Sequence, residues 1–172
     1  MKVIRILFFL LMLTGSAAAQ NAKDSLPYQR FPELPPIQLL LGDSVTVFKK
    51  EQLPKNKPVL VIIFSPGCSH CQHTAEELVR RKDSLPDMHL VLATFASIGE
   101  MNEFRTKYHT DLLPNTVVGK DIYFLLPPFF GVTHLPFLAF YDRKGMLAET
   151  FEGSMPVPQM LERIRVLAKR KK

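Results

Sequence analysis

The chain has 172 residues, of which 47% are hydrophobic and 22% charged, with a formal net charge of +6. That length and apolar content suit one globular domain with a sizeable core and exclude a disordered or fibrous chain. The basic excess does not point to nucleic acid. Much of it lies in the final Lys169-Arg170-Lys171-Lys172, and no basic patch is interleaved with aromatic residues.

The N-terminus reads as a secretory signal peptide over residues 1–19. Lys2 and Arg5 form a charged leader, Ile6 to Leu13 an apolar stretch, and Ala17-Ala18-Ala19 a small-residue cleavage site. The apolar run is well short of the roughly 20 residues that span a bilayer, so stable membrane insertion is not expected once the signal is cut near Ala19. The signal carries +2 of the +6, leaving +4 on the mature chain. Export implies a periplasmic or otherwise external setting, where disulfides persist. Residues 20–36, punctuated by Pro27, Pro32, Pro35 and Pro36, predict an extended arm. Ile37 to Leu41 and Val45 to Phe48, joined by Gly42-Asp43-Ser44, predict a β-hairpin that opens a domain over residues 37–168. Residues 169–172 are a basic tail.

Pro58 to Phe64 is a continuous apolar run rich in β-branched residues, which predicts a strand covered on both faces. Ser65-Pro66-Gly67 ends it, and Cys68-Ser69-His70-Cys71 opens a segment in which Ala75, Leu78 and Val79 fall at helical spacing. These are the only two cysteines. A thiol at a helix N-terminus meets free backbone N–H groups and the positive end of the helix dipole, and both favour thiolate. Cys68 is therefore placed as a nucleophile, with Cys71 one turn later able to attack the mixed disulfide it forms. A purely structural bridge is a poor alternative, because it would close too short a loop to constrain the unfolded chain. A closed zinc site lacks ligands, since His89, His109 and His134 are scattered singly. Copper(I) held by two thiolates stays open, as soft sulfur suits that ion.

Further on, Asp83 to Asp87 predicts a turn and Met88 to Phe95 a second apolar strand. Met101, Phe104 and Tyr108 mark a second helix, whose stripe reads as core packing. Thr116-Val117-Val118 predicts a short strand, and Ile122 to Phe130 is apolar with Pro127-Pro128 opposing a helix interior. Phe137 to Tyr141 and Met146 to Phe151 form a second hairpin across Asp142-Arg143-Lys144-Gly145. A last helix begins near Pro158, with Met160, Leu161, Ile164 and Leu167 on one face.

A strand running into CxxC on a helix, then a β-α pair, a proline-led hairpin and a terminal helix, resembles the thioredoxin fold. This is an α/β fold with a mixed central sheet flanked by helices, here with an added N-terminal β-hairpin. More closely, the chain resembles the exported TlpA/ResA-type thioredoxin-like proteins over residues 31–168. The features that match are the hairpin, Pro58-to-Phe64 leading into Cys68-Ser69-His70-Cys71, the insertion before the last hairpin, and Gly131-Val132-Thr133-His134-Leu135-Pro136-Phe137-Leu138. The resemblance implies that Cys68 attacks, Cys71 resolves, and Pro136 is a cis-proline facing the pair. Leu135 and Pro136 would then line a substrate groove in which the Leu135 backbone pairs with an incoming peptide. It implies a cell-envelope thiol-disulfide oxidoreductase needing neither cofactor nor metal. Its partners would be protein thiols and disulfides, together with an upstream electron donor or acceptor.

The chain departs from the pattern at three positions. Gly67 stands where relatives carry an aromatic residue, Ile62 where thioredoxins carry a buried acid, and Thr74 where many relatives carry a glutamate. His70 is expected to tune the pair, because a histidine between the cysteines favours the Cys68 thiolate by charge or by its N–H. A stabilised reduced form makes a stronger oxidant, so a pair more oxidising than thioredoxin's is expected. A copper(I)-handling or other thiol-based binding protein is the competing class. A thiol peroxidase ranks last, because Ser65-Pro66-Gly67 offers no threonine ahead of the cysteine.

Overall fold

The structure, a computed structural model, describes residues 25–169. The signal, its cleavage near Ala19 and tail residues 170–172 lie outside the described residues. Seven strands form one mixed sheet: β1 (Gln38–Leu40), β2 (Val47–Lys49), β3 (Val59–Phe64), β4 (His89–Thr94), β5 (Thr116–Asp121), β6 (Phe137–Tyr141) and β7 (Leu147–Glu152). Their spatial order is β2-β1-β5-β4-β3-β6-β7. β3, β4 and β5 run parallel, while β6 lies antiparallel to β3 and β7 antiparallel to β6. The β1–β2 hairpin adds to the far side of β5, antiparallel to it. At their closest, a Cβ on Gly119 of β5 would meet the Leu39 Cβ at 2.6 Å, so a glycine is required there.

Among the described residues, five α-helices cover the sheet: α1 (Pro27–Arg30), α2 (Ser69–Arg80), α3 (Ile98–Lys107), α4 (Leu126–Phe130) and α5 (Val157–Lys169). All six residues of β3 are buried, and strand alternation divides them between two cores. Leu60, Ile62 and Phe64 join Cys71, Ala75 and Leu78 of α2, Met101 and Phe104 of α3, and Met160, Leu161 and Ile164 of α5. Val59, Val61 and Ile63 face the other way, toward Leu34, Ile37, Leu126 and Phe130. Burial of each such side chain stabilises the fold by about 1.5–3 kcal/mol. A central strand covered on both sides is a rigid base for whatever follows its C-terminal end. α3 starts on a capping box, with Ser97 Oγ accepting from the Glu100 N–H at 3.2 Å and Glu100 Oε2 accepting from the Ser97 N–H at 3.0 Å.

Three stretches differ from the sequence-based expectation. The 20–36 arm is not extended throughout, since Pro27–Arg30 makes one helical turn and Tyr28 packs on Phe130 with ring centroids 5.9 Å apart. β5 runs six residues rather than three, because Gly119 and Lys120 continue the ladder with β4 and β1. Within Ile122 to Phe130, Pro127 and Pro128 sit in the first turn of α4, where no intrahelical N–H is needed, so they start a short helix instead of blocking one. Gly131 ends that helix with φ +65°, and the Leu26 side chain approaches it within 2.6 Å of where a Cβ would lie. The arm is thereby tied to the loop that leads into Pro136.

Candidate active site

β3 delivers the chain to Ser65-Pro66-Gly67, and the Cys68 N–H donates to the Ser65 carbonyl at 3.1 Å to close the turn. Cys68 then stands as N-cap of α2 with extended backbone, and its sulfur accepts from the Cys71 N–H at 3.4 Å. Ser, Thr or Asp oxygens usually fill that role; here a sulfur takes the same N–H. Both cysteines are free thiols, Cys68 half-buried and Cys71 buried.

Their surroundings separate them chemically. Cys71 is 3% exposed and belongs to the apolar core under α2. Burial, reinforced by its contact with the Cys68 sulfur, holds the Cys71 thiol far above the ordinary value of 9.0. One thiol can therefore meet solvent and a partner, while the other stays protonated until a disulfide forms above it.

The Leu135–Pro136 bond is cis. The Cys68 thiol points at the Leu135 carbonyl, 3.7 Å away, so this loop lies directly against the first cysteine. His70 is exposed on the first turn of α2. Its carbonyl accepts from the buried Thr74 hydroxyl at 2.8 Å, and among the described residues its ring makes no hydrogen bond. Ile62 is 1% exposed and Thr74 is buried, so neither position brings a carboxylate to Cys71. Thiolate sulfur is available for a metal only from this one pair. Among the described residues no group of three or more His, Cys, Asp or Glu side chains could hold a metal ion.

Sequence reading missed two features at this end of the sheet. Glu152, at the end of β7, accepts from the Thr133 N–H at 3.2 Å and from the Thr133 hydroxyl at 2.5 Å, and lies 3.2 Å from His134 Nδ1. Burial pulls the Glu152 carboxyl upward, but the Thr133 and His134 contacts outweigh it and hold it below the usual 4.5. The carboxylate thus ties the segment just ahead of Leu135 to the sheet. The contact depends on the β6–β7 register, which residue spacing alone does not reveal. The second group is a set of exposed aromatics, Phe95, Tyr123 and Phe124, beyond the ends of β4 and β5.

Known proteins give this arrangement a place. Residues 48–168 match the thioredoxin-like domain family. A search of curated proteins finds no match. Among solved structures, DsbF of Mycobacterium tuberculosis is similar at a TM-score of 0.65 and 24% identity, covering 83% of this chain and 99% of that one. A secreted disulfide oxidoreductase of M. tuberculosis, homologous to Escherichia coli DsbE, gives 0.63 and 20% over 76% and 95% of the two chains. The exposed lipoprotein thioredoxin Etrx1 of Streptococcus pneumoniae gives 0.60 and 20% over 77% and 99%. These likenesses share the fold, and the family match covers well over half of the chain. With a CxxC pair at the N-terminus of α2 and a cis-proline loop against it, the chain belongs to the thioredoxin-like family.

Proposed function

We propose that this protein is a thiol-disulfide oxidoreductase of the cell envelope, exchanging disulfides with partner proteins through Cys68 and Cys71. The observation that carries the reading is the asymmetry of the pair: a reachable sulfur at a helix N-terminus, and a buried thiol one turn behind it. In the reducing direction the Cys68 thiolate attacks one sulfur of a partner disulfide. A Cys68–partner bond forms and the partner's other sulfur leaves as thiolate. Cys71 then loses its proton to water or to the departing thiolate and attacks Cys68. The Cys68–partner bond breaks as a Cys68–Cys71 bond forms, so the partner leaves as a dithiol having gained two electrons and this protein, having lost two, keeps the disulfide. The oxidising direction is the same sequence reversed. Leu135 and Pro136 border the path of the incoming chain, and the secreted and exposed proteins that share the fold support an envelope setting.

His70 is the residue we assign to redox tuning. Its exposed ring is free to stabilise the Cys68 thiolate, which makes the pair more oxidising than thioredoxin's. Exchange of His70 for proline then lowers the potential read by equilibration against glutathione.

The test of the function runs an insulin-reduction assay and a scrambled-disulfide assay beside copper(I) titration of the reduced protein. Turnover in either assay that vanishes when Cys68 is replaced supports the reading. Tight copper(I) binding by both thiols with no turnover in either assay would overturn it in favour of metal handling.

A further inference from the structure

Because β3, β4 and β5 are parallel, the segments that follow them leave the sheet at one end. Cys68 follows β3, Phe95 follows β4, and Tyr123 and Phe124 follow β5. Adjacent strands lie about 4.8 Å apart, which puts the end of β5 about 10 Å from the end of β3. At that end Phe95 is 41% exposed, Tyr123 68% and Phe124 53%. The Phe95 and Phe124 rings meet edge to face, with centroids 5.5 Å apart at 78°. A single exposed aromatic needs no explanation; three at the sheet end that also carries Cys68, two of them in contact, do.

The turn that presents them is built, not loose. Asp121 is a buried carboxylate, and its Oδ2 accepts from the Leu126 N–H at 2.8 Å while its carbonyl accepts from the Phe124 N–H at 3.4 Å. Between these bonds Phe124 holds φ +50°, in the left-handed region that bulky side chains avoid. Backbone strain of this kind persists only where the surroundings impose it, and it gathers at functional surfaces. Here it keeps a phenylalanine ring outside the core. Next to Cys68, Gly67 contributes no side chain, and a Cβ there would meet no atom within 4 Å. Apolar contact with whatever approaches Cys68 therefore comes from Leu135 and from the rim.

We infer that Phe95, Tyr123 and Phe124 form the docking surface for the partner protein's chain around its reactive disulfide, and that they select aromatic or aliphatic side chains flanking the partner cysteine. The inference rests on the oxidoreductase reading above. The occupant follows from geometry, since a chain joined to Cys68 by an S–S bond of about 2 Å is anchored at the edge of the rim. Extended chain rises about 3.3 Å per residue, so side chains two or three residues from the partner cysteine fall on the aromatic rings.

The test compares three disulfides as substrates of the reduced protein: hydroxyethyl disulfide, a cystine peptide flanked by Leu and Phe, and the same peptide flanked by Ser. Each is run with the wild type, with Phe124→Gly and with Phe95→Ser/Tyr123→Ser. Glycine suits φ +50° better than phenylalanine, so Phe124→Gly removes the ring while favouring the turn. The wild type should prefer the apolar peptide, and each variant should lose about tenfold on that peptide alone, the effect of about 1.4 kcal/mol of lost contact. Rates on the Ser peptide and on hydroxyethyl disulfide should not change. Equal wild-type rates on the two peptides, or a variant loss of the same size on hydroxyethyl disulfide, would overturn the docking surface. Absence of exchange with all three by the wild type would instead sink the oxidoreductase reading beneath it.

Discussion

Where β3 begins, five cationic side chains, Lys50, Lys55, Lys57, Arg143 and Lys144, gather with Glu33 around an open groove of about 470 Å³. Three of them are held by the chain itself: Lys50 Nζ donates to the Leu34 carbonyl at 2.5 Å, Lys57 Nζ to Asp87 at 2.6 Å, and Arg143 to the carbonyls of Asn56 and Ala168 at 3.0 and 3.4 Å. The Asp142 carboxylate closes the neighbouring turn by accepting from the N–H groups of Lys144 and Met146. Where β3 ends the pattern reverses. The half-exposed Cys68 thiol, the His70 ring and the aromatic rim all face outward, and the one buried thiol stands in apolar surroundings. The same strands thus support an end where three of five cationic groups are held by the chain itself and an end where Cys68, His70 and three aromatic rings reach solvent. The first arrangement stabilises, and the second exposes chemistry on a scaffold that the core keeps rigid.

The largest effect belongs to the Cys68 end. Cys68→Ser should abolish exchange, and Cys71→Ser should leave a protein that accumulates mixed disulfides, since only the first attack needs the reachable thiolate. Mass spectrometry after incubation with oxidised glutathione reads both outcomes. Full turnover by either variant would erase the distinction between the two thiols.

A second contrast concerns pH. The Cys71 thiol has a folded value raised above its ordinary 9.0, chiefly by burial. Below pH 9 the thiol is protonated in both states and favours neither. Above pH 9 the unfolded chain loses that proton and the folded chain does not, so stability falls as pH rises. The slope approaches about 1.4 kcal/mol per pH unit. Denaturant titrations of the reduced protein between pH 8 and pH 10.5 should show this decline, and Cys71→Ala should remove its onset near pH 9, leaving the part near pH 10 that buried Tyr141 contributes. A reduced protein with constant stability across that interval would mean that Cys71 is not desolvated.

Much of this was legible in the sequence because it rests on periodicity. The apolar run into β3, the Ala75 and Leu78 spacing of α2 and the Met160-Leu161-Ile164-Leu167 face of α5 lie in the structure where their spacing places them. Cys68 and Cys71 could be singled out because they are the only cysteines and stand at a strand-to-helix junction. The arm and the 122–130 segment were read less well, since a helical turn of four or five residues leaves no periodic trace and proline suits both a helix start and a break. Glu152 and Asp121 were invisible for another reason. Their partners lie 19 and 5 residues away, and only strand register and a left-handed turn bring them together.

The smallest effects test the two ends against each other. At the cationic end, Arg143→Ala removes two bonds to carbonyls from a solvent-exposed side chain, which should cost about 0.5–1 kcal/mol of stability and leave exchange rates unchanged. At the Cys68 end, Glu152→Gln weakens the tie to Thr133 and His134. His134 is 77% exposed and Glu152 about a third exposed, so solvent screening limits the loss to roughly 0.5 kcal/mol. The consequence for rate is different, because the tie holds the segment that carries Leu135 against Cys68. Glu152→Gln should therefore slow exchange with a peptide disulfide about threefold while barely moving the denaturation midpoint. The sign of the pH dependence follows from the lowered carboxyl value. The contribution of Glu152 is complete above its ordinary 4.5 and is lost as pH falls through its lower folded value. Wild type and variant should then converge in stability under strongly acidic conditions and separate above pH 4.5. If Arg143→Ala slowed exchange as much as Glu152→Gln did, the division of labour between the two ends of the sheet would be wrong.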